Sequence, residues 1–412
     1  MVNLKFQVMS CFVIFFSQFS VANEAGNWQE FQFVAKNKLD IPVTNAEICL
    51  PKQELPFPAE SVFVVSGSQG MDHQSTDCNG DFETGDIQLL LDFEANESKS
   101  IIIYFNPETA SAHEPSIRTQ AELAVRVSGK MNDEGRLVGG TYLPVNRYTL
   151  PQEHTLGDHL FKYEGIGLES NLMAYRYYFD HRGSLDVFGK STEKLVLPVI
   201  GIDGSNYHEM NDWGMDVLKV GDSFGLGTPG AMQQDSMTRM SQFESLQVKL
   251  HSGVNSSAFE LSFDNWQIPA DTVNATVQYA INHGDSKVKV TAVGSKTLEH
   301  WLTGIVNHGL SPIIYDAKDS TWGYFATYGK QSLAGDNLGL AIFFKTEDLV
   351  NQVTDENSHT LILGKDTNTI SYYFLADWQG GIGGSDELQQ FKVKLAKEIT
   401  KLNSPIQVIY QD

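Results

Sequence analysis

Apolar and polar residues alternate with period two along much of this chain, the pattern of strands that bury one face. Phe31–Val34, Ser61–Val65, Ile87–Leu91 and Ile101–Phe105 are short runs rich in β-branched and aromatic residues. Gly, Pro, Asn and Asp punctuate them, which predicts a small sandwich-like β-domain over residues 23–110. Residues 111–160 are polar and mixed, and read as a linker carrying a strand or two. From 161 to 412 strands dominate again, at Ala174–Phe179, Leu246–Leu250, Lys287–Thr291, Leu338–Phe344 and Ser371–Leu375. One stretch changes period. In Glu387–Leu402 the apolar positions Leu388, Phe391, Leu395 and Ile399 lie three or four apart, which predicts a helix. The fold class is therefore mostly β, a main sandwich with a C-terminal helix behind a smaller N-terminal one.

The first 22 residues break the alternation. Lys5, the apolar core Cys11–Phe16 and the small residues Ser20 and Ala22 have the layout of a signal peptide cut after Ala22. The apolar core is too short to span a bilayer, so an anchor is the weaker reading. A periplasmic or secreted location is expected. Two cysteines then remain, Cys49 and Cys78, and an oxidising compartment suggests that they form a disulfide; two free buried thiols are the alternative. The formal net charge of −22 disfavours nucleic acid and anionic membranes as partners. It leaves room for an acidic sugar only where basic residues gather locally.

Between Asn206 and Gly230 the chain reads NYHEMNDWGMDVLKVGDSFGLGTPG, a polar, aromatic, glycine-rich stretch without strand alternation. On a β scaffold such a loop is where binding and catalysis usually sit. His208, Glu209 and Asp212 outline a helical metal motif, but Asn211–Gly214 is poor helix sequence, so no cofactor is expected and a divalent metal is the alternative. The glycines imitate a phosphate loop without its Lys-Ser/Thr. The third reading makes His208 and Tyr207 acid–base groups beside a Trp213 sugar platform. Upstream, Arg176 stands on an aromatic strand, with Asp186 and Lys190 after it. Arg and Lys there suit a sugar carboxylate, although a structural ion pair of Arg176 with Glu169 or Asp186 is the alternative.

These residues resemble the domain-of-unknown-function 4861 family. The likeness runs through Glu169, Arg176, Tyr178, Asp186-Val187-Phe188-Gly189-Lys190, Tyr207-His208-Glu209, Gly214-Met215-Asp216 and the glycine run from Val220 to Gly227. Tyr324–Gln331 and Tyr372–Trp378 fit too, so that it covers most of the chain after the leader. The resemblance implies a mutarotase-like β-supersandwich, and an enzyme of uronic-acid polysaccharide breakdown, of the ulvan or pectin type. The implied activity is a carbon–oxygen lyase acting at C4–C5 of a uronate, by chain cleavage or by dehydration of a terminal residue.

Such chemistry needs a neutralised carboxylate, a base for the C5 proton and an acid for the departing O4. His208 is the expected base, Tyr207 the acid or its partner, and Arg176 with Lys190 the carboxylate clamp. Glu209, Trp213, Asp216, Glu169 and Asp186 are expected to bind an acidic oligosaccharide. A non-catalytic carbohydrate-binding protein and a metal-dependent glycan hydrolase are the alternatives.

Overall fold

The computed structural model describes residues 28–59, 62–67, 69–106, 116–202, 205–317 and 319–410. The expected leader, with Cys11, and Ser61 lie outside the described residues. Strands dominate, and every paired strand runs antiparallel to its neighbour. Among the described residues no helix is long and apolar enough to cross a membrane.

The N-terminal strands form two sheets. One orders Gln407–Tyr410, Gln29–Lys36, Ser98–Phe105, Val62–Ser66 and Gln69–Met71; the other orders Val43–Leu50, Asp86–Phe93 and Gln74–Thr76. Their alternating inward residues, among them Phe33, Ile48, Val64, Leu89 and Ile103, share one core. The last strand, Gln407–Tyr410, arrives from the far end of the chain to pair with Gln29–Lys36. Cys49 and Cys78 are joined in a disulfide with Cα atoms 5.7 Å apart.

The main body is a nine-stranded sheet facing two five-stranded sheets across a single large core. Strands at the centre are apolar on both faces, as sheets covered on both sides are. In Leu338–Lys345, Leu340, Ile342 and Phe344 enter that core, while Ala341 and Phe343 face the other way. The helix Leu388–Asn403 covers them with Phe391, Leu395 and Ile399. Leu388, expected in the same stripe, is 40% exposed because it opens the helix one turn short of the contact. Trp266, Trp301 and Trp378 are fully buried core residues. The segment between the two units also carries strands: Gln120–Glu122 extends one five-stranded sheet and Arg147–Thr149 edges the nine-stranded one.

Candidate acid–base site

The site is built on the outer face of the sheet ordered Gly214–Asp216, Leu185–Lys190, Met173–Tyr178, Gly165–Glu169 and Gln120–Glu122. Alternation divides each strand. Met173, Tyr175, Tyr177, Leu185, Val187 and Met215 enter the main core. Ala174, Arg176, Tyr178, Asp186, Phe188, Lys190 and Asp216 therefore face outward. All are nevertheless buried, because residues 191–202 and 205–213 fold back across this face. Val196, Leu197 and Ile200 pack there with Tyr163, Ala174 and Phe188, and Tyr207 and Trp213 lean on the same cluster. Trp213 meets Phe188 edge-on at 6.0 Å. The chain closes at Gly214, whose φ is +122° and whose Cβ, if it had one, would lie 1.9 Å from the Gly189 carbonyl oxygen. No other residue fits that turn.

Arg176 is fully buried at the centre. It donates to Asp186, Tyr178 and Asp216, the last at 2.8 Å, and through its other terminal nitrogen to the Tyr163 carbonyl and the Tyr207 hydroxyl, each at 3.3 Å. The Tyr178 hydroxyl also donates to Asp186, at 2.6 Å. Asp216 shares its Oδ2 between Arg176 and the Nδ1 of His208, 3.2 Å away. Its Oδ1 is buried and unpartnered. The imidazole itself reaches solvent, with 57% of the side chain exposed.

Tyr207 and His208 sit on a turn, not a strand, held by Asn206, which accepts from the His208 amide, and by Asn211, which donates to the Asn206 and Glu209 carbonyls. Their rings thereby lie on the same side, with centroids 4.4 Å apart.

The charges in this cluster do not cancel. Asp186 and Asp216 oppose the single cation Arg176, so a proton on His208 or on a carboxyl completes the balance. Burial, and then the neighbouring Asp216 charge, pushes the Asp186 carboxyl up to about 6. The hydrogen bond to Asp216 raises the His208 imidazole above its ordinary value. Burial raises Tyr207, so its hydroxyl keeps its proton at neutral pH. The group thus offers a solvent-facing imidazole that readily takes a proton and a neighbouring phenol that can give one.

Lys190 does not join them. Its ammonium is fully buried and donates to Glu169 at 2.9 Å and to the Ser170 carbonyl. Glu169 in turn accepts from the Val196 and Leu197 amides, which pins the covering segment. Burial lowers Lys190 and raises Glu169, both toward neutrality. The expected clamp of Arg176 with Lys190 is therefore not formed: both cations are enclosed and already paired. Arg176 takes the alternative role, an ion pair with Asp186. Glu169, Asp186 and Asp216, expected against substrate, are internal partners. Glu209 is exposed beside His208, and Trp213 is half-buried.

His208, Glu209 and Asp212 lie on the turn and do not converge as ligands. Among the described residues the group of three His, Cys, Asp or Glu side chains close enough to share an ion is Cys49, Cys78 and Asp86, and its two sulfurs form the disulfide. The rim carries a further cation that no motif in the sequence marks. Arg182 lies over the Tyr178 ring at 3.4 Å and pairs with Asp180 and, at 3.4 Å, with Glu164. Tyr178 was legible by parity, two residues beyond Arg176 on one strand.

Fold and site together define a β-sandwich protein with a His–Asp dyad, its histidine on an exposed turn and its aspartate in the buried charge cluster beneath. The chain belongs to the family described as "Domain of unknown function (DUF4861)", whose model matches residues 35–408. No curated protein matches it significantly. Among solved structures it is similar to a glycosyl hydrolase family 38 protein from Enterococcus faecalis, with 9% identity and a TM-score of 0.44, covering 93% of this chain and 47% of that one. An alpha-mannosidase from Enterococcus faecalis V583 gives 9% identity and a TM-score of 0.45, covering 93% and 46%. The chain thus spans about half the length of either.

Proposed function

We propose that this protein is an acid–base enzyme acting on a carbohydrate, a carbon–oxygen lyase that eliminates across C4–C5 of a uronic acid residue. The observation that carries the acid–base part is the exposed imidazole of His208, held through Nδ1 by buried Asp216 and set 4.4 Å, ring to ring, from Tyr207. What supports the acidic-sugar part is the motif resemblance running from Glu169 to Gly227. His208 takes the C5 proton, and the resulting imidazolium supplies the positive charge that Asp186 and Asp216 leave uncompensated. Tyr207, its hydroxyl held by Arg176, gives a proton to the departing O4. Arg176 positions both groups through Asp216 and Tyr207 and does not touch the sugar.

The test is a time course of ultraviolet absorbance on a panel of uronate oligosaccharides, including some with saturated non-reducing ends. The conjugated product absorbs and the substrate does not. A rise in the native protein that disappears in His208→Ala supports the reading; a flat trace across the panel sinks it. Mass spectrometry then separates loss of water from chain cleavage. The openness of His208 favours a second reading, a glycan-binding protein without turnover, in which the turn recognises sugar and nothing is eliminated.

A further inference from the structure

The outer face of the nine-stranded sheet is covered unevenly. At one end the helix Leu388–Asn403 lies on it. In the middle the N-terminal unit docks, with Gln278 donating to Asp77 at 2.8 Å and Lys289 to the Cys78 carbonyl at 3.0 Å. At the other end, where Arg147–Thr149 forms the edge, a trough of about 410 Å³ remains open among the described residues. Its lining includes Arg147, Thr149, Gln247, Lys249, Glu260 and Ser262.

Parity sets which side chains reach it. Tyr148 turns inward to meet Phe161 edge-on at 5.6 Å, and Val248 and Leu261 are core residues, so their neighbours point outward. The strand register arranges them in two rows. Arg147 stands opposite Lys249, and Lys249 opposite Glu260; Thr149 stands opposite Gln247, and Gln247 opposite Ser262. One row is charged and the other carries hydroxyls and an amide; neighbours within a row lie about 4.8 Å apart from strand to strand, and the two rows lie two residues, about 6.8 Å, apart along the strands. Lys249 donates to Glu260 at 3.2 Å, and His251 also pairs with it at 3.3 Å. Arg147 is exposed and has no partner among the described residues. The row keeps one uncompensated guanidinium on a chain whose net charge is −22.

We propose that this trough is a second, non-catalytic subsite, which binds the carboxylate-bearing units of an acidic oligosaccharide through Arg147 and Lys249, with Thr149, Gln247 and Ser262 hydrogen-bonding its hydroxyls. A guanidinium matches a carboxylate bidentately, and charge complementarity favours an anionic occupant over a neutral one. The subsite shares a substrate class with the proposed lyase but none of its residues.

The experiment is calorimetric titration of the full protein with a de-esterified polygalacturonate oligomer, in low and physiological salt, against neutral dextran and poly-glutamate. Binding to the oligomer and not to dextran is expected, weakened about tenfold or more by Arg147→Glu and by Lys249→Gln. Arg147→Gln, which leaves an unpaired surface position uncharged, is the folding-neutral variant and should give an intermediate loss. An oligomer that does not bind, or binds these variants equally well, overturns the subsite. Poly-glutamate binding as tightly as the uronate also overturns it and marks a docking face for acidic peptides instead. Intact binding without turnover sinks the lyase alone, and turnover without Arg147-dependent binding sinks the subsite alone.

Discussion

His208 and Asp216 are eight residues apart in sequence and 3.2 Å apart in space, one side chain open to solvent and the other enclosed. The pairing depends on the tight return at Gly214, which brings the turn over the strand that carries Asp216. Asp216 also binds Arg176, so the imidazole is linked through one carboxylate oxygen to the whole buried cluster. The dyad is thus anchored from below and free above.

Replacing the imidazole tests the exposed half. His208→Ala is expected to lower turnover by about 100-fold or more, the usual weight of a general base. Its thermal midpoint should stay close to that of the native protein, because an exposed ring contributes little packing. Steady-state rates beside a melting curve check both expectations. A large loss of stability would make His208 a structural residue.

Asp216→Asn tests the enclosed half through pH. The hydrogen bond to Asp216 raises His208, so its coupling stabilises the fold fully below the unfolded imidazole value of about 6.5 and is lost as pH rises through the raised folded value. An NMR titration of the imidazole should show a midpoint that falls in Asp216→Asn. Unchanged midpoints in the two proteins would dissolve the dyad.

Asp186 carries the opposite sign of a normal ion-paired carboxylate. Its folded value of about 6 lies above the unfolded one, so the native state binds the proton first and gains stability as pH falls from above 6 toward 4. Asp186→Asn is therefore expected to cost more stability at pH 5 than at pH 7, read from urea midpoints at the two values. Equal costs would show that the carboxyl titrates normally.

Lys190→Met leaves Glu169 as an enclosed carboxylate without its cation. A loss of about 3–5 kcal/mol is expected, with much of it recovered in the Lys190→Met/Glu169→Gln double variant. Denaturant unfolding of the single and double variants measures the difference. If Lys190→Met instead folds normally and loses only catalysis, the carboxylate clamp returns.

The disulfide closes a loop between residues 29 apart, a constraint on the unfolded chain worth about 3–4 kcal/mol. The Cys49→Ala/Cys78→Ala protein should be less stable by that amount. The His208 imidazole titration should not move.

Period-two alternation made the strands readable, because a half-buried strand writes its inward face into the sequence. It did the same for Arg176, Asp186 and Lys190, which all project from one face. What alternation cannot carry is register. Arg176 lies opposite Asp186, which leaves Lys190 four residues further on, about 13 Å at strand rise, with Phe188 between. The clamp fails on that offset. The turn at 206–211 was legible as an interruption, but the common side of its two rings depends on Asn206 and Asn211, whose side-chain bonds leave no periodic trace. Gln407–Tyr410 is not legible for another reason: four residues are too few to establish a pattern.

That final strand also fixes an order of events. The ribosome makes the N-terminal sandwich first, yet its edge beside Gln29–Lys36 has no neighbour until residues 407–410 emerge. An unfinished chain therefore presents a bare strand edge throughout synthesis, the kind of surface that seeds aggregation. Loss of residues 407–410 would leave that hazard permanent and mark the product for proteolysis, however well the main body had folded.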